Sequence, residues 1–223
     1  MNIKTVIKDL KTASDIEKAK SMQNYMQGRF SYYGVMTTER RAISKTFIKE
    51  SQTLKKSDIK ALVIELYAYP QRELHHIALE IALPYFKKQV EIGDLNFFEK
   101  LAMQNQWWDT IDVIAPKLMA NYFLKFPDER DMAIDKWLVS NDKWLIRCAI
   151  LFQLKYKTNT DLNLLFETIL RIPPTEEFFI NKAIGWILRE NTRLYPNAII
   201  DFVRDNGHIL SALSKKEALR LLK

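Results

Sequence analysis

The sequence predicts an all-α protein in which helix pairs repeat to form a right-handed α-α superhelix. Three observations support this fold class. Apolar residues recur with helical periodicity almost from end to end, and no segment shows the strict alternation of a half-buried strand. The chain of 223 residues contains only five glycines, too few for the many turns of a hairpin-rich sheet. Short apolar motifs also recur about every 35 residues.

Six of these motifs align on one small apolar residue, and consecutive members are 34 to 36 residues apart. This period has room for two helices and two turns, and it is slightly short for repeats of the HEAT and armadillo type. We expect about six HEAT-like repeats over approximately residues 34–223, preceded by N-terminal helices over approximately residues 1–33. Together they would form a single domain over residues 1–223. The aligned residues are Ala42, Ala78, Val113, Ala149, Ala183 and Ala218.

Side chains at positions −5, −1 and +3 from the small residue share one face of a helix, because they are four residues apart. We expect this stripe to line the concave surface of the superhelix. In the third repeat it contains Trp108 and Asp112, whereas Trp107 should pack inside its own layer. In the fifth repeat it contains Lys182 and Trp186, and ordinary packing between repeats is the alternative for both stripe tryptophans. The other stripes are Thr37, Arg41 and Lys45 in the first repeat, and Trp144, Cys148 and Phe152 in the fourth, where Arg147 lies one step round the helix.

The positive charge is concentrated at the N-terminus. Residues 1–60 contain 13 lysines and arginines against six acidic residues, which accounts for the whole net charge of +7. An excess of positive charge in the N-terminal quarter of the chain, with no net charge in the remainder, suggests a polyanionic partner. A solvated basic surface that keeps the protein soluble explains the same charge equally well.

A concave basic surface with aromatic side chains suits a nucleic-acid backbone, because cations neutralise phosphates and aromatic faces pack on sugars and bases. The carboxylate of Asp112 is the exception, since it repels phosphates. It would be useful where a glycosidic bond breaks, because a carboxylate stabilises an oxocarbenium ion and can deprotonate the attacking water. A cationic base leaves without a general acid, so one carboxylate and aromatic walls would suffice.

Other kinds of chemistry have little support in the sequence. The single cysteine, Cys148, cannot form an intrachain disulfide and is interpreted as a small core residue. The three histidines show no metal-ligand spacing, and no glycine-rich phosphate loop or GxSxG motif occurs, so we expect no metal and no cofactor. Because the sequence has neither a signal-like N-terminus nor a long apolar run, we expect a cytoplasmic protein with no membrane partner.

Four segments also resemble a known family, and the resemblance covers essentially the whole chain. They are MQNYMQGRFSYYGVMTTERR, QWWDTIDVIAP, NDKWLIRCAILFQLKYK and EEFFINKAIGWILREN, and they are similar to the AlkD-type DNA glycosylases of the DNA alkylation repair enzyme family. The resemblance implies a HEAT-like superhelix that holds duplex DNA in its concave groove. It implies removal of positively charged alkylpurines, such as 3-methyladenine and 7-methylguanine, without extrusion of the base into a pocket. We expect a monofunctional enzyme that acts as a monomer.

The resemblance also implies roles for individual residues. The catalytic acid of the family falls on Asp112, and its two sugar-cradling tryptophans fall on Trp108 and Trp186. The phosphate-binding arginine near the site falls on Arg147, and the residue of the N-terminal helix that approaches DNA falls on Tyr25. The remaining DNA-binding candidates are Thr37, Arg41 and Lys182.

Two positions depart from the pattern of the family. Met36 stands where the family usually has glutamine, and Thr38 stands where it usually has proline. The N-terminal helix is also about two residues shorter than in the family. A weakly active or inactive DNA-binding paralogue of the same fold is therefore one alternative function. A protein-binding scaffold is another, because helical solenoids often use their concave surface in this way.

Overall fold

The computed structural model describes residues 2–222, and the fold within them is built from α-helices. The only β-type pairing in this part of the chain is one isolated bridge between Ser31 and Gln71. The predicted all-α helical-repeat class is confirmed. The chain divides into two compact units, one ending at Val90 and the other beginning at Glu91. The prediction of a single domain stays a prediction.

The first unit contains five helices. Side chains cap the first two: Asn2 accepts from the backbone N–H of Lys4, and Asp15 accepts from the N–H groups of Glu17 and Lys18. A loop from Met26 to Met36 then leads into the third helix. The helices are α1 Ile3–Thr12, α2 Ile16–Tyr25, α3 Thr37–Ser51, α4 Lys56–Tyr67 and α5 Arg72–Gln89.

The second unit contains nine α-helices among the residues that the structure describes, with two short 3₁₀ turns and one π-helical segment. The helices are α6 Asp94–Met103, α7 Trp108–Val113, α8 Ala120–Lys125, α9 Arg130–Val139, α10 Lys143–Leu151, α11 Leu162–Leu170, α12 Phe178–Thr192, α13 Pro196–Asp205 and α14 Ala212–Ala218. Carboxylates cap three of these helices: Asp142 at α10, Asp161 at α11 and Glu177 at α12.

The helices that carry the aligned small residues contact one another in series within each unit. In the first unit α3 contacts α5, and in the second unit α10 contacts α7 and α12, while α12 contacts α14. Four of the six aligned residues are fully or almost fully buried, so the predicted close approach is confirmed at Ala78, Ala149, Ala183 and Ala218.

The alignment is wrong in the first repeat and weaker in the third. Ala42 is exposed, because the buried face of α3 is formed by Arg40, Ser44 and Phe47. A residue two positions from both Arg40 and Ser44 points to the opposite side of the helix. Val113 is only half-buried, since regular α-helix ends at that residue.

Ion pairs between side chains one repeat apart confirm the period in the second unit. A repeat stack places equivalent positions of neighbouring units side by side, so contacts recur at the repeat length. The separations of these pairs range from 34 to 37 residues. The pairs are Glu99 with Lys136, Asp112 with Arg147, Asp135 with Arg171, and Lys143 with Glu177.

The helix that carries Asp112 is interrupted by a π-helical segment. It runs from Ile114 to Met119, between α7 and α8. Pro116 lies inside the segment and has no N–H, so the carbonyl of Asp112 cannot receive the regular α-helical bond from residue 116. The wider turn accommodates this proline next to the carboxylate, and π-bulges are frequent at functional sites. The sequence indicated only a regular helix here.

Replacing Ala183 with tryptophan tests the helix contact between repeats. Ala183 is fully buried in α12, so Ala183→Trp should overpack the interface and cost about 1–3 kcal/mol or more of unfolding free energy. The matched control is Ala42→Trp, because Ala42 is exposed on α3 and the same change should cost about 0.5 kcal/mol or less. Urea unfolding of both variants measures the difference, and equal losses would contradict the assigned interface.

Candidate active site

Asp112 and Arg147 form a two-bond ion pair between α7 and α10. Arg147 donates from Nε to Oδ1 of Asp112 over 2.8 Å and from Nη2 to Oδ2 over 3.0 Å. Arg147 also donates from Nη1 to the backbone carbonyl of Phe179 on α12. Its side chain is 4% exposed, whereas that of Asp112 is 17% exposed. The buried guanidinium therefore holds the carboxylate in one orientation. The carboxylate stays in contact with solvent, and it has further lone pairs that can accept hydrogen bonds.

An aromatic cluster of two buried tryptophans and one half-buried phenylalanine supports this ion pair. Trp107, Trp144 and Phe179 contact one another in all three combinations, with ring centroids 4.9 to 5.5 Å apart. Each lies at or just before the first turn of its helix, so the cluster holds the beginnings of α7, α10 and α12 together. The expectation that Trp107 packs inside is confirmed by its 3% exposure. The backbone of Phe179 is thereby fixed where Arg147 binds it.

The protonation of Asp112 is set by opposing effects. Burial raises the pKa of its carboxyl above the ordinary aspartate value, and this is the largest effect. The hydrogen bonds and positive charge of Arg147 lower the pKa, while the negative charge of Asp109 raises it further. The net direction is upward, which makes Asp112 a stronger proton acceptor than an exposed aspartate.

The two stripe tryptophans are partly accessible. Trp108 begins α7 four residues before Asp112, and Trp186 lies on α12 four residues after Lys182. All four side chains are half-buried, so neither tryptophan belongs entirely to the core between repeats.

Lys182 forms an ion pair with Glu217 on α14, because its Nζ lies 2.8 Å from Oε1 of that residue. Arg189 also binds Glu217, and hydrogen bonding to Lys182 is the main reason that the pKa of Glu217 lies below its usual value.

Three predicted DNA-binding residues lie in the first unit. Tyr25 ends α2 and is 71% exposed, and Thr37 begins α3 and is also exposed. Arg41 is exposed on α3, but its Nε donates to Oε1 of Glu80 on α5 over 2.7 Å. Met36, which precedes α3, is exposed as well. All of these side chains are therefore accessible to a partner.

One predicted stripe does not face the surface. Trp144, Cys148 and Phe152 of the fourth repeat are all buried. Burial raises the pKa of the Cys148 thiol far above its ordinary value, so the interpretation of this residue as core is confirmed. Trp144 lies in the aromatic cluster, and Phe152 packs against Phe123 and Tyr156.

Sequence reasoning missed two groups that hold the predicted side chains. One is Glu217, and its position could have been predicted, because Glu217 and Lys182 both immediately precede an aligned alanine in consecutive repeats. The other is the backbone carbonyl of Phe179, for which no sequence signal exists, since every residue has a carbonyl.

The described residues provide neither a membrane span nor a cluster of metal ligands. No helix within residues 2–222 is both long enough and apolar enough to span a bilayer. The same part of the chain contains no group of three or more histidine, cysteine, aspartate or glutamate side chains arranged to hold a metal ion.

The chain is similar to known proteins over nearly its whole length. Residues 6–222 match a family model described as DNA alkylation repair enzyme. One solved structure, described as a predicted DNA alkylation repair enzyme from Enterococcus faecalis, is 28% identical in sequence, with a TM-score of 0.86. The similarity covers 94% of this chain and 96% of that one. No curated protein gives a significant match.

Proposed function

Because this chain belongs to the DNA alkylation repair enzyme family, we propose that it is a monofunctional DNA glycosylase acting on positively charged alkylpurines in duplex DNA. The observation that carries the proposal is the carboxylate of Asp112, held by Arg147 and still open to solvent on one side. A structural ion pair gains nothing from that accessibility, whereas a catalytic carboxylate needs it.

The proposed reaction uses water and the carboxylate. Water attacks C1′ of the sugar, and the glycosidic C–N bond breaks with its electron pair going to the base. Because the alkylated base is cationic, it leaves as a neutral molecule and needs no general acid. The carboxylate of Asp112 stabilises the positive charge that develops on the sugar, and it accepts a proton from the attacking water. The products are the free base and an abasic site in an unbroken strand.

Trp108 and Trp186 are proposed to flank the reacting sugar. Their half-buried rings can offer an aromatic face to a positive charge, and such contacts gain strength where water is excluded. Arg147 is proposed to orient Asp112, because three of its N–H groups already bind Asp112 and Phe179. A contact between Arg147 and phosphate stays a prediction.

The basic surface of the first unit supports DNA as the partner. Lys4, Lys8 and Lys11 are exposed on α1, four and three residues apart, so they share one face of the helix. None of the three has an ion pair with a carboxylate among the described residues. The apolar face of α1, formed by Val6 and Leu10, is buried within the unit. The lysines therefore remain available for phosphates.

The pH dependence of base release tests the role of Asp112. Only the carboxylate form accepts a proton, so the rate should fall as the pH drops through the pKa of Asp112. The midpoint should lie above the ordinary aspartate value of 3.8, because burial raises this pKa. Asp109→Asn should move the midpoint to lower pH by removing a nearby negative charge. An acid limb at the same pH in both proteins would show that another group titrates.

A further inference from the structure

The carboxylate of Glu217 bridges two cations on either side of Trp186. Its Oε1 lies 2.8 Å from Nζ of Lys182, and its Oε2 accepts from Nη1 of Arg189. Trp186 follows Lys182 by four residues and precedes Arg189 by three, so these three side chains share one face of α12. Glu217 reaches that face from α14. One acidic side chain therefore holds both charged neighbours of a tryptophan that is proposed to flank the reacting sugar.

The close approach of α14 to α12 leaves no room for a side chain at Gly185. A Cβ atom placed there would lie 2.5 Å from Cβ of Glu217 and 3.0 Å from the carbonyl oxygen of Ser214. Glycine destabilises the interior of a helix relative to alanine, so a glycine in the middle of α12 indicates a packing requirement. The requirement here is the approach that brings Glu217 to the face of α12.

Two hydrogen bonds fix α14 against α12 before and after Glu217. Oγ of Ser214 donates to the backbone carbonyl of Asn181 over 2.8 Å. Oγ1 of Thr192 donates to the backbone carbonyl of Ala218 over 3.2 Å. Because Glu217 lies between Ser214 and Ala218 in the sequence, the position of its backbone is set by the contact between the helices.

The three charged side chains differ in accessibility. The side chain of Lys182 is 38% exposed, whereas those of Arg189 and Glu217 are 19% and 11% exposed. An ammonium group has three N–H donors, and one carboxylate oxygen does not occupy all of them. Lys182 is therefore the member of the cluster that can bind a further acceptor. The cluster carries one net positive charge, since two cations surround one carboxylate.

We propose that Glu217 is a positioning residue that holds Lys182 for contact with a phosphate of the DNA strand. Lys182 lies one helical turn from Trp186, a rise of about 5.4 Å. Each sugar of a strand has a phosphate on either side, so a sugar packed on Trp186 would bring one phosphate towards Lys182. Arg189 keeps Glu217 in place by binding its other oxygen.

The benefit of this arrangement is preorganisation. A free lysine side chain loses rotamer freedom when it binds, whereas Lys182 is already held by Glu217. Glu217 itself is not proposed to touch the substrate and acts through Lys182. The proposal rests on the proposed function for duplex DNA as the ligand, and it adds a residue that the excision chemistry does not require.

The test is the affinity of Glu217→Gln for duplex DNA over a range of salt concentrations. The substitution removes a negative charge, so long-range electrostatic attraction alone would tighten binding. The positioning role predicts the opposite result, because the contact between Lys182 and phosphate is lost. Affinity at low salt should fall about tenfold, and the slope of log K against log salt concentration should fall by about one. Fluorescence anisotropy of a labelled duplex measures both, and unchanged or tighter binding would overturn the proposal.

The matched control is Asp201→Asn. Asp201 is exposed on α13 and pairs with Arg204, and its replacement changes the net charge by the same amount. This variant should bind DNA with the affinity and the salt dependence of wild type. An equal loss of affinity in Asp201→Asn and Glu217→Gln would overturn the specific role of Glu217.

A double-mutant cycle with Lys182→Met separates positioning from a general effect on the fold. Lys182→Met should weaken binding to the same extent as Glu217→Gln, and the double variant should bind no more weakly than either. Additive losses would show that Glu217 does not act through Lys182. Glu217→Asp keeps the negative charge on a shorter side chain and should recover part of the affinity. It replaces Glu217→Gln in the cycle if thermal melts show that the glutamine variant does not fold.

Base release by wild type, measured on the same duplex, separates this proposal from the proposed excision reaction. Weaker DNA binding by Glu217→Gln without base release by wild type would support the positioning role and reject the glycosylase. Base release by wild type, with unchanged DNA binding by Glu217→Gln, would support the glycosylase and reject the positioning role.

Discussion

Replacing Asp112 with asparagine is expected to slow the release of 7-methylguanine from methylated duplex DNA by about 10²–10⁴-fold. Asparagine has nearly the shape of aspartate, but it carries no negative charge and accepts protons poorly. It therefore stabilises neither the oxocarbenium ion nor the loss of a proton from water. Single-turnover rates measure the effect on the chemical step, and a binding titration on the same duplex checks that DNA affinity persists.

The matched control is Asp135→Asn. Asp135 also pairs with an arginine one repeat away, at a separation of 36 residues from Arg171, but both side chains are largely exposed. Its replacement should leave the rate of base release within about a factor of two of wild type. Wild-type activity in Asp112→Asn would remove Asp112 from the mechanism, and equal losses in both variants would indicate a general effect of breaking an ion pair.

Replacing Arg147 with methionine is expected to cost about 3 kcal/mol of unfolding free energy at neutral pH, the lower end of the range for breaking a buried ion pair. Arg147 is almost fully buried, and its removal leaves the carboxylate of Asp112 without its hydrogen bonds. Asp112 keeps some solvent contact, which limits the loss. Activity should also fall, because the carboxylate loses its orientation. Urea unfolding and base release measure the two effects.

The pH dependence of this variant gives a further check. Loss of Arg147 removes an influence that lowers the pKa of Asp112, so burial should raise it further. A group whose pKa is raised in the folded state loses its stabilising contribution as the pH rises through that value. The cost of Arg147→Met should therefore shrink on acidification. The exposed counterpart Arg171→Met should cost about 0–1 kcal/mol, and comparable costs would contradict the assigned burial.

Much of the fold follows from the repeat pattern in the sequence. The period of 34 to 36 residues identified the second helix of each repeat, and four of the aligned residues are buried where helices meet. The same arithmetic relates Asp112 to Arg147 and Lys182 to Glu217, because each pair is 35 residues apart. Only the first of these pairs was among the predicted residues. Charged residues at equivalent positions of neighbouring repeats can thus be predicted to form ion pairs, provided that each repeat is compared with the next.

Other features of the fold cannot be predicted by aligning equivalent residues of the repeats. In α3 the buried face includes Arg40 and Ser44, so apolar character alone selected the exposed Ala42. The π-helical segment beside Asp112 depends on how the helix accommodates Pro116, which a 3.6-residue pattern does not show. The hydrogen bonding of Glu73 depends on a loop whose amide groups donate to Oε1, while Oε2 has no partner.

The most direct test of the central claim is a product analysis with wild-type protein. Duplex DNA carrying 7-methylguanine is incubated with the enzyme, and the free bases and the strands are analysed separately. The proposed mechanism predicts free 7-methylguanine and an abasic site in an unbroken strand. Binding to the duplex without release would contradict it and favour the inactive paralogue, with Met36→Gln as the first variant to test for a gain of activity. Negligible binding even at low salt would instead favour a protein-binding scaffold.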